Sequence, residues 1–375
     1  MATGANGSLD LRRLGPGGFG VALELHPGAE LSAWVDRLGA DPQPLLDAFH
    51  DARGLLVVKG AGDIAAAPEL LVRLSRLFGP EVEDYRRTLT PARLIHDRVP
   101  EILVVSNLAP MNFEVPRLPD PPRTAEGALP VRFPHRKGWH TDQSFRRPPP
   151  DVSLFYAAAP CPRGQGQTLY ADGTAAYAAL DAALEERIAD LEAVHAIPWT
   201  GRGEDAVRAG ETPRPLLEHQ SSQRQPVVRR HPVTGVPALY LCGESQLDWV
   251  LGPFAGLPPG PDGEAGRLLH ALLAHYTQPR FTYIHEWDAG DLVIHDNRNT
   301  MHAATWFDGA RHGRVMWRTT VFGNPGADYA GERPSWLPER GDPMGDLELD
   351  MREVPRPPGP PQREDGAGAD TEGRA

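Results

Sequence analysis

The stretch Trp139-His140-Thr141-Asp142 places an imidazole and a carboxylate two residues apart. On an extended strand, residues two apart point to the same face, so His140 and Asp142 can reach one metal ion together. A third imidazole from elsewhere in the chain would complete the 2-His-1-carboxylate ligand set of non-haem Fe(II) oxygenases, which leaves positions on the metal for other ligands. An isolated His-x-Asp pair is common by chance, so this hypothesis depends on what the rest of the chain supplies.

The best candidate for the third ligand is His302. It follows an apolar segment that begins after Gly290-Asp291 and ends at Asp296-Asn297. Such a turn can direct the next residues back across a β structure. His295 lies inside the apolar segment and is the alternative ligand, although its position favours a supporting or packing role.

Two arginines, Arg314 and Arg318, follow in a β-favouring segment with Met316 between them. A spacing of four on a strand places both guanidinium groups on one face. Buried unpaired charge is costly, and arginine binds carboxylates through two parallel hydrogen bonds. The residues by themselves therefore predict a metal beside one or two sites for anions.

Composition limits the function classes that this chain can belong to. It has 375 residues, 38 basic and 50 acidic side chains and a net charge of −12, which argues against a nucleic-acid-binding surface. Only two cysteines occur, and no apolar run approaches the roughly 20 residues of a membrane span. Without a signal-like N-terminus, these features predict a cytoplasmic protein that does not act on membranes. The length suggests two domains or one large β-rich domain.

Short β-favouring segments predominate over helical patterns, which predicts a mainly β protein with flanking helices, as in a β-sandwich or jelly roll. The predicted strands are 21–25, 55–59, 102–106, 152–157, 167–170, 226–229, 238–241, 281–285, 291–296 and 314–322, and the predicted helices are 31–38, 68–78, 174–191 and 264–276. We expect a mobile N-terminus over 1–18, one domain over 19–350 with a proline-rich lid at 107–138, and a disordered tail over 351–375.

Several motifs together resemble the Fe(II)/2-oxoglutarate-dependent dioxygenases of the taurine dioxygenase / 2,4-D dioxygenase (TauD/TfdA) family. The similarity covers roughly residues 21–325. The motifs that carry it, in the family's order and at its spacing, are Trp139-His140-Thr141-Asp142, Thr168-Leu169-Tyr170, Pro226-Val227-Val228-Arg229-Arg230-His231-Pro232, Asp296-Asn297-Arg298, His302 and Arg314-Val315-Met316-Trp317-Arg318.

The resemblance implies a double-stranded β-helix (jelly roll, cupin-like) core and assigns roles to individual residues. His140, Asp142 and His302 would bind Fe(II), and Arg314 and Thr168 would hold the distal carboxylate of 2-oxoglutarate. O₂ would be the second co-substrate. Arg318 matches the position that binds the anionic group of the substrate in the taurine enzyme, and a share in binding 2-oxoglutarate is the alternative for this residue. The presence of Asp142 argues against a halogenase of the kind that lacks this carboxylate.

Further substrate contacts are predicted near Tyr85 and Arg87, in the stretch Asp84-Tyr85-Arg86-Arg87, and at Arg136, four residues before His140. Arg136 stands where the taurine enzyme has an uncharged amide, and His295 replaces a tryptophan. The segment before His140 is also longer and richer in proline than in the taurine enzyme. Taurine itself is therefore not the expected substrate.

The resemblance implies oxidation of an unactivated C–H bond with release of succinate and CO₂. Hydroxylation is the default outcome, and desaturation or another oxidative tailoring reaction is left open. The expected partner is a small anionic or amino-acid-like molecule from bacterial natural-product biosynthesis or catabolism, and a homo-oligomer is left open. One alternative is a non-catalytic β-sandwich protein that binds 2-oxoglutarate or another anionic metabolite. A second alternative is a cupin-like isomerase or lyase, which would not need the Arg314/Thr168 carboxylate site.

Overall fold

Segments rich in leucine and valine form the central strands of the structure, a computed structural model that describes residues 11–25, 30–88, 90–118, 125, 138–332 and 335. Its strands are β1 (Leu11–Arg13), β2 (Val21–Glu24), β3 (Leu55–Lys59), β4 (Glu81–Val82), β5 (Leu103–Ser106), β6 (Val152–Ala159), β7 (Thr168–Asp172), β8 (Glu192–His195), β9 (Gln223–Pro226), β10 (Val228–Arg230), β11 (Pro237–Leu239), β12 (Thr282–His285), β13 (Leu292–Asp296), β14 (Thr300–Ala304) and β15 (Val315–Phe322).

Helices flank these strands. They are α1 (Leu31–Ala40), α2 (Gln43–Asp51), α3 (Asp63–Ala66), α4 (Glu69–Ser75), α5 (Gly173–Ala178), α6 (Ala182–Ile188), α7 (Glu204–Arg208) and α8 (Glu264–Tyr276). The mainly β architecture with flanking helices is confirmed. None of the described helices is long and apolar enough to cross a membrane.

Two sheets position the residues of interest. The larger has the order β1-β2-β3-β13-β6-β15-β4, with β5 also paired to β15, and the smaller has the order β12-β7-β14. Within the described residues, the large sheet is antiparallel except where β2 runs parallel to β3. Two further antiparallel pairs, β8 with β9 and β10 with β11, lie apart from these sheets. No sheet closes into a barrel in the part of the chain described.

An apolar cluster lies between the two sheets. It joins Val57, Ala157, Val293 and Met316 of the large sheet to Tyr170 of the small one. Separate clusters cover the outer faces, with α1, α2 and α4 on the large sheet and α5 and α8 on the small sheet. Alternate residues of β6, β7, β13 and β15 therefore face a shared interior, and polar residues in these registers become neighbours.

Some predicted elements differ from the structure. The single helix predicted over 174–191 is wrong, because the segment forms α5 and α6. Asp172 accepts a hydrogen bond from the backbone N–H of Ala175, and Asp181 accepts one from Leu184. The second cap starts a new helix, as aspartate side chains commonly do. Neither α2 nor β14 was predicted, since each is short and has a mixed pattern.

Several predictions fall partly or wholly on residues outside the described part. These are Arg136, residues 1–10 of the predicted mobile N-terminus, most of the predicted lid, and the tail over 351–375. Residues 11–13, which the composition places in the mobile N-terminus, form β1 and pair with β2. Leu11 packs against the core on the large sheet, which the glycine-rich composition does not indicate.

Candidate active site

His140, Asp142 and His302 meet at one end of the interior. Their ligand atoms all lie within 4.8 Å of one another, a spacing at which they could hold a metal ion. The backbone makes this possible, because His140 and His302 exchange hydrogen bonds of 2.8 and 2.9 Å. That bridge aligns the His140 segment beside β14, although the predicted strand at 139–142 is reduced to this single bridge.

The two imidazoles are suited to metal binding. The Nδ1–H of His140 donates to the Gly138 carbonyl at 2.9 Å, which leaves Nε2 free, 3.8 Å from Asp142 Oδ1. Burial lowers the pKa of His140 and holds that of His302 well below its usual value. Both rings are therefore neutral at physiological pH, and neutral imidazole is the form that binds metals.

The two oxygens of Asp142 have different surroundings. Oδ1 contacts Arg318 Nη1 and faces the two imidazoles, whereas Oδ2 accepts a 2.8 Å hydrogen bond from the Ser153 hydroxyl. Burial by itself would raise the pKa of Asp142. Arg318 and the neighbouring imidazoles reverse that effect and hold the pKa well below its usual range. Asp142 is thus an anion, the state that a metal ligand requires.

His295 lies beside the triad. Its Nε2 is 3.7 Å from Asp142 Oδ2, and its ring centroid is 4.7 Å from that of His302. The residue is buried and neither ring nitrogen has a hydrogen-bond partner. The group with the spacing of a metal site contains His302, and the ring of His295 packs against that of His302.

Arg314 and Thr168 face the interior from opposite sheets and are linked by two aromatic rings. The Arg314 guanidinium lies 5.7 Å from the Phe155 ring, Phe155 packs on Trp287, and Trp287 Nε1 donates to Thr168 Oγ1 at 3.0 Å. Arg314 is only 7% exposed, and its Nε and Nη2 have no partner. The hydroxyl of Tyr170 is also buried without a partner. This group of unpaired donors could receive a carboxylate.

The residues predicted to contact substrate separate into two groups. Arg318 and Tyr85 adjoin the triad, since Arg318 contacts Asp142 and the tyrosine is buried beside Arg318, where its hydroxyl bonds Thr320 at 2.8 Å. The structure does not bring Arg87 to the triad. Its side chain is 86% exposed and lies 3.8 Å from Asp84, at a separate cavity of about 570 Å³ beside β4.

An apolar group lies next to Arg318. Leu103 of β5 is the cross-strand partner of Arg318 and therefore shares its face. It packs with Tyr85 and Leu94, and with side chains that remain partly exposed, among them Met111 and Phe113. A molecule with an anionic end at Arg318 would have an apolar wall beside it.

A second histidine–carboxylate group has the spacing of a metal site but different chemistry. It contains His50, His231 and Asp296. Asp296 already accepts hydrogen bonds from the backbone and side chain of Arg298 and from His231 Nε2. His231 Nδ1 accepts bonds from backbone amides, so its tautomer is fixed and no lone pair remains for a metal. This group is a structural ion network.

Sequence reasoning missed Ser153, Tyr170 and Asn297 as members of the site. Ser153 and Tyr170 lie on strands that were predicted, and alternation places them on the same face as other interior residues. That signal was available, but it identifies a face of a strand and does not single out one hydroxyl. Asn297 lies in the turn between β13 and β14, where an asparagine is unremarkable.

The chain resembles proteins of known activity. The model of the family described as "Taurine catabolism dioxygenase TauD, TfdA family" matches residues 10–320. An (S)-phenoxypropionate/alpha-ketoglutarate-dioxygenase of Sphingobium herbicidovorans is 33% identical over 197 residues, which are 52% of this chain and 64% of that protein. The alignment therefore spans less than two thirds of the relative.

Two other matches are more extensive. An alpha-ketoglutarate-dependent 2,4-dichlorophenoxyacetate dioxygenase of Cupriavidus pinatubonensis is 31% identical over 314 residues, 80% of this chain and 97% of the relative. The crystal structure of AAD-2 in complex with Mn(II) and N-oxalylglycine is 26% identical, with a TM-score of 0.57, over 86% of this chain and 98% of that one. With a family model that matches most of its length, this chain belongs to the TauD, TfdA family of dioxygenases.

Proposed function

We propose that this protein is an Fe(II)- and 2-oxoglutarate-dependent dioxygenase that oxidises an unactivated C–H bond of a small organic anion. The observation that carries the proposal is the convergence of His140, Asp142 and His302, together with the buried guanidinium of Arg314, whose Nε and Nη2 have no partner. Tyr170 adjoins both, since its ring lies 5.9 Å from that of His302 and the charge of Arg314 acts on its hydroxyl. The names of the relatives support the reaction class. In this proposal the two sheets are the halves of a double-stranded β-helix.

His140, Asp142 and His302 would hold Fe(II). The donor set fits, since it consists of two neutral imidazoles and one ionised carboxylate. Bound Fe(II), together with 2-oxoglutarate and O₂, supplies the oxidising power, and 2-oxoglutarate leaves as succinate and CO₂. The protein fixes the ligand geometry and shields the reacting centre from water.

Arg314 and Thr168 would bind the distal carboxylate of 2-oxoglutarate. Burial lowers the pKa of Arg314 to about 10, so the group stays charged at neutral pH. A buried cation without a partner is unfavourable, and a carboxylate would satisfy it. Thr168 Oγ1 accepts from Trp287, which leaves its own hydrogen to donate. The ligand in the AAD-2 structure supports 2-oxoglutarate as the co-substrate, since N-oxalylglycine differs from it by an NH in place of a CH₂.

The substrate would carry an anionic group and an apolar body. Arg318 would bind the anion, and the apolar group around Leu103, with Tyr85, Met111 and Phe113, would contact the body. Relatives named for phenoxypropionate and 2,4-dichlorophenoxyacetate support this class, since both molecules join a carboxylate to an aromatic ring. Contacts from Arg87 and Arg136, and a natural-product or catabolic role, stay predictions. No described feature favours a non-catalytic binding protein.

Succinate release tests the proposal. The full chain should release succinate only when Fe(II), 2-oxoglutarate and O₂ are all present, and faster with carboxylates that bear an apolar body. His140→Ala should abolish this and lose Mn(II) binding. His275→Ala is the control, because His275 is partly buried and bonds the Ala176 carbonyl on α5. Succinate release that persists in His140→Ala, or none with any tested acid, would contradict the proposal.

A further inference from the structure

We propose that Ser153 and Asn297 form a positioning relay that holds the carboxylate of Asp142 in the orientation in which it would bind the metal. The inference rests on the proposed function for the identity of the metal ligands and concerns how their carboxylate is held. Ser153 Oγ donates to Asp142 Oδ2 at 2.8 Å, and Asn297 Nδ2 donates to Ser153 Oγ at 2.9 Å.

The donor order in this relay is fixed by chemistry. An ionised carboxylate only accepts hydrogen bonds, so the single hydroxyl hydrogen of Ser153 points to Asp142. The oxygen of Ser153 must then accept, and Asn297 presents its amide N–H to it. All three residues are buried, at 2% exposure or less, so water does not compete for these bonds.

The relay separates the roles of the two Asp142 oxygens. Oδ1 faces the imidazoles, 3.8 Å from His140 Nε2 and 4.0 Å from His302 Nε2. Oδ2 is turned away and occupied by Ser153. Oδ1, which also contacts Arg318 Nη1, is therefore the oxygen that would face a metal held by the two imidazoles.

The relay also couples two metal ligands through one turn. Ser153 lies on β6, in the middle of the large sheet, paired to His295 on one side and Thr320 on the other. Asn297 is anchored by its own N–H, which donates to the Asp151 carbonyl at 2.8 Å. The turn that contains Asn297 leads into β14, which carries His302. This turn thus orients Asp142 through the Ser153 hydroxyl. It also positions His302, because the chain continues from the turn into β14.

Mn(II) binding to the full-length chain, followed by EPR without 2-oxoglutarate, tests the relay. Ser153→Ala should weaken the Mn(II) affinity roughly 10- to 100-fold, the usual effect of removing a group that orients a ligand. Ser153→Thr keeps the hydroxyl and should restore most of the affinity. Asn297→Ala should weaken Mn(II) in the same direction but less, because the Ser153 hydroxyl then loses its fixed orientation. If Ser153→Ala does not fold, Asn297→Ala tests the relay in its place.

Ser75→Ala is the matched control. Ser75 is equally buried and hydrogen-bonded, to the Leu71 carbonyl and to Thr319, but lies away from the triad. It should lose stability without losing Mn(II) affinity. The relay is overturned if Ser153→Ala and Asn297→Ala bind Mn(II) as Ser75→Ala does, or if Ser153→Thr fails to restore binding. Retained Mn(II) in His140→Ala would instead overturn the proposed metal site itself.

Discussion

At the scale of single residues, Arg314 and Arg318 are two buried arginines, four residues apart, with different electrostatic surroundings. Arg318 is paired with Asp142, and although burial acts to lower its pKa, that carboxylate raises it above the usual value. Arg314 has no such partner, and burial lowers its pKa. Arg314 is therefore the cation without an anion, whereas Arg318 contacts Asp142 through Nη1 and keeps its Nε unpaired.

Arg314→Ala should raise the 2-oxoglutarate concentration needed for half-maximal succinate release roughly 30- to 150-fold, because charge-assisted hydrogen bonds of about 2–3 kcal/mol are lost. Steady-state titration of 2-oxoglutarate measures this. Arg311→Ala is the control, since Arg311 is 81% exposed and lies three residues away. An unchanged 2-oxoglutarate requirement in Arg314→Ala would contradict the assignment of Arg314 to 2-oxoglutarate.

At the scale of elements, the junction of β7 and α5 is packed too closely for any side chain at Gly173. A Cβ there would lie 2.5 Å from Tyr276 Oη, 2.6 Å from the Leu239 carbonyl oxygen and 2.8 Å from the Asn299 carbonyl oxygen. Since β7 carries Thr168 at its other end, this contact fixes the strand against α8 and the turn before β14.

Gly173→Ala should lower the free energy of unfolding by about 1–3 kcal/mol, the usual cost of overpacking. Gly39→Ala should have the opposite sign, a gain of about 0.5–1 kcal/mol. Gly39 is exposed within α1 and no atom lies within 4 Å of the position that a Cβ would take there, so only helix propensity changes. Urea unfolding measures the free energy of unfolding of both variants. A change of the same sign and size in Gly173→Ala and Gly39→Ala would contradict the packing argument.

At the scale of the whole molecule, Asp296 joins parts of the chain that are distant in sequence. It accepts from Arg298 Nη2 at 2.5 Å and from His231 Nε2 at 2.9 Å, and its N–H donates to the Gly54 carbonyl. Burial would raise its pKa, but Arg298 and His231 hold the pKa well below the usual value of 3.8. The ionised form is thus favoured by folding.

A depressed pKa contributes stability above the unfolded-state value, and this contribution is lost as the pH falls through the folded-state value. Asp296→Asn should therefore cost about 3–5 kcal/mol at pH 7, because Arg298 is left buried without its anion. The difference from the wild type should shrink below about pH 4, since asparagine does not titrate. Urea unfolding between pH 3 and 7 measures both effects.

Asp36→Asn provides the comparison for this network. Asp36 pairs with Arg73 on the surface, where the side chains are 64% and 39% exposed, and such pairs contribute about 0–1 kcal/mol. A difference between Asp296→Asn and the wild type that stays constant down to pH 3 would contradict the linkage argument.

Much of this protein could be predicted from the sequence because its signals are local. Apolar runs predicted β3, β13 and α8 within a residue or two, since strand and helix periodicities are written in neighbouring positions. The motif His140-Thr141-Asp142 and the pair Arg314 and Arg318 indicated a metal beside anion sites through spacing and charge alone. The position of His302 after a turn favoured it over His295, which lies within an apolar segment, and the structure places His302 in the group with His140 and Asp142.

The tertiary structure decided what depends on contacts between distant segments. It separated Arg314 from Arg318 by giving only one of them a carboxylate, and it placed Arg87 at the surface although Tyr85 is buried beside Arg318. It brought Ser153 to Asp142 across 11 residues of chain and Asn297 to Ser153 across 144, and no local pattern assigns either residue to the metal site. Hydrogen bonds of this kind follow from strand register, which determines which residues of adjacent strands lie side by side. Register cannot be read from positions that are neighbours in the sequence.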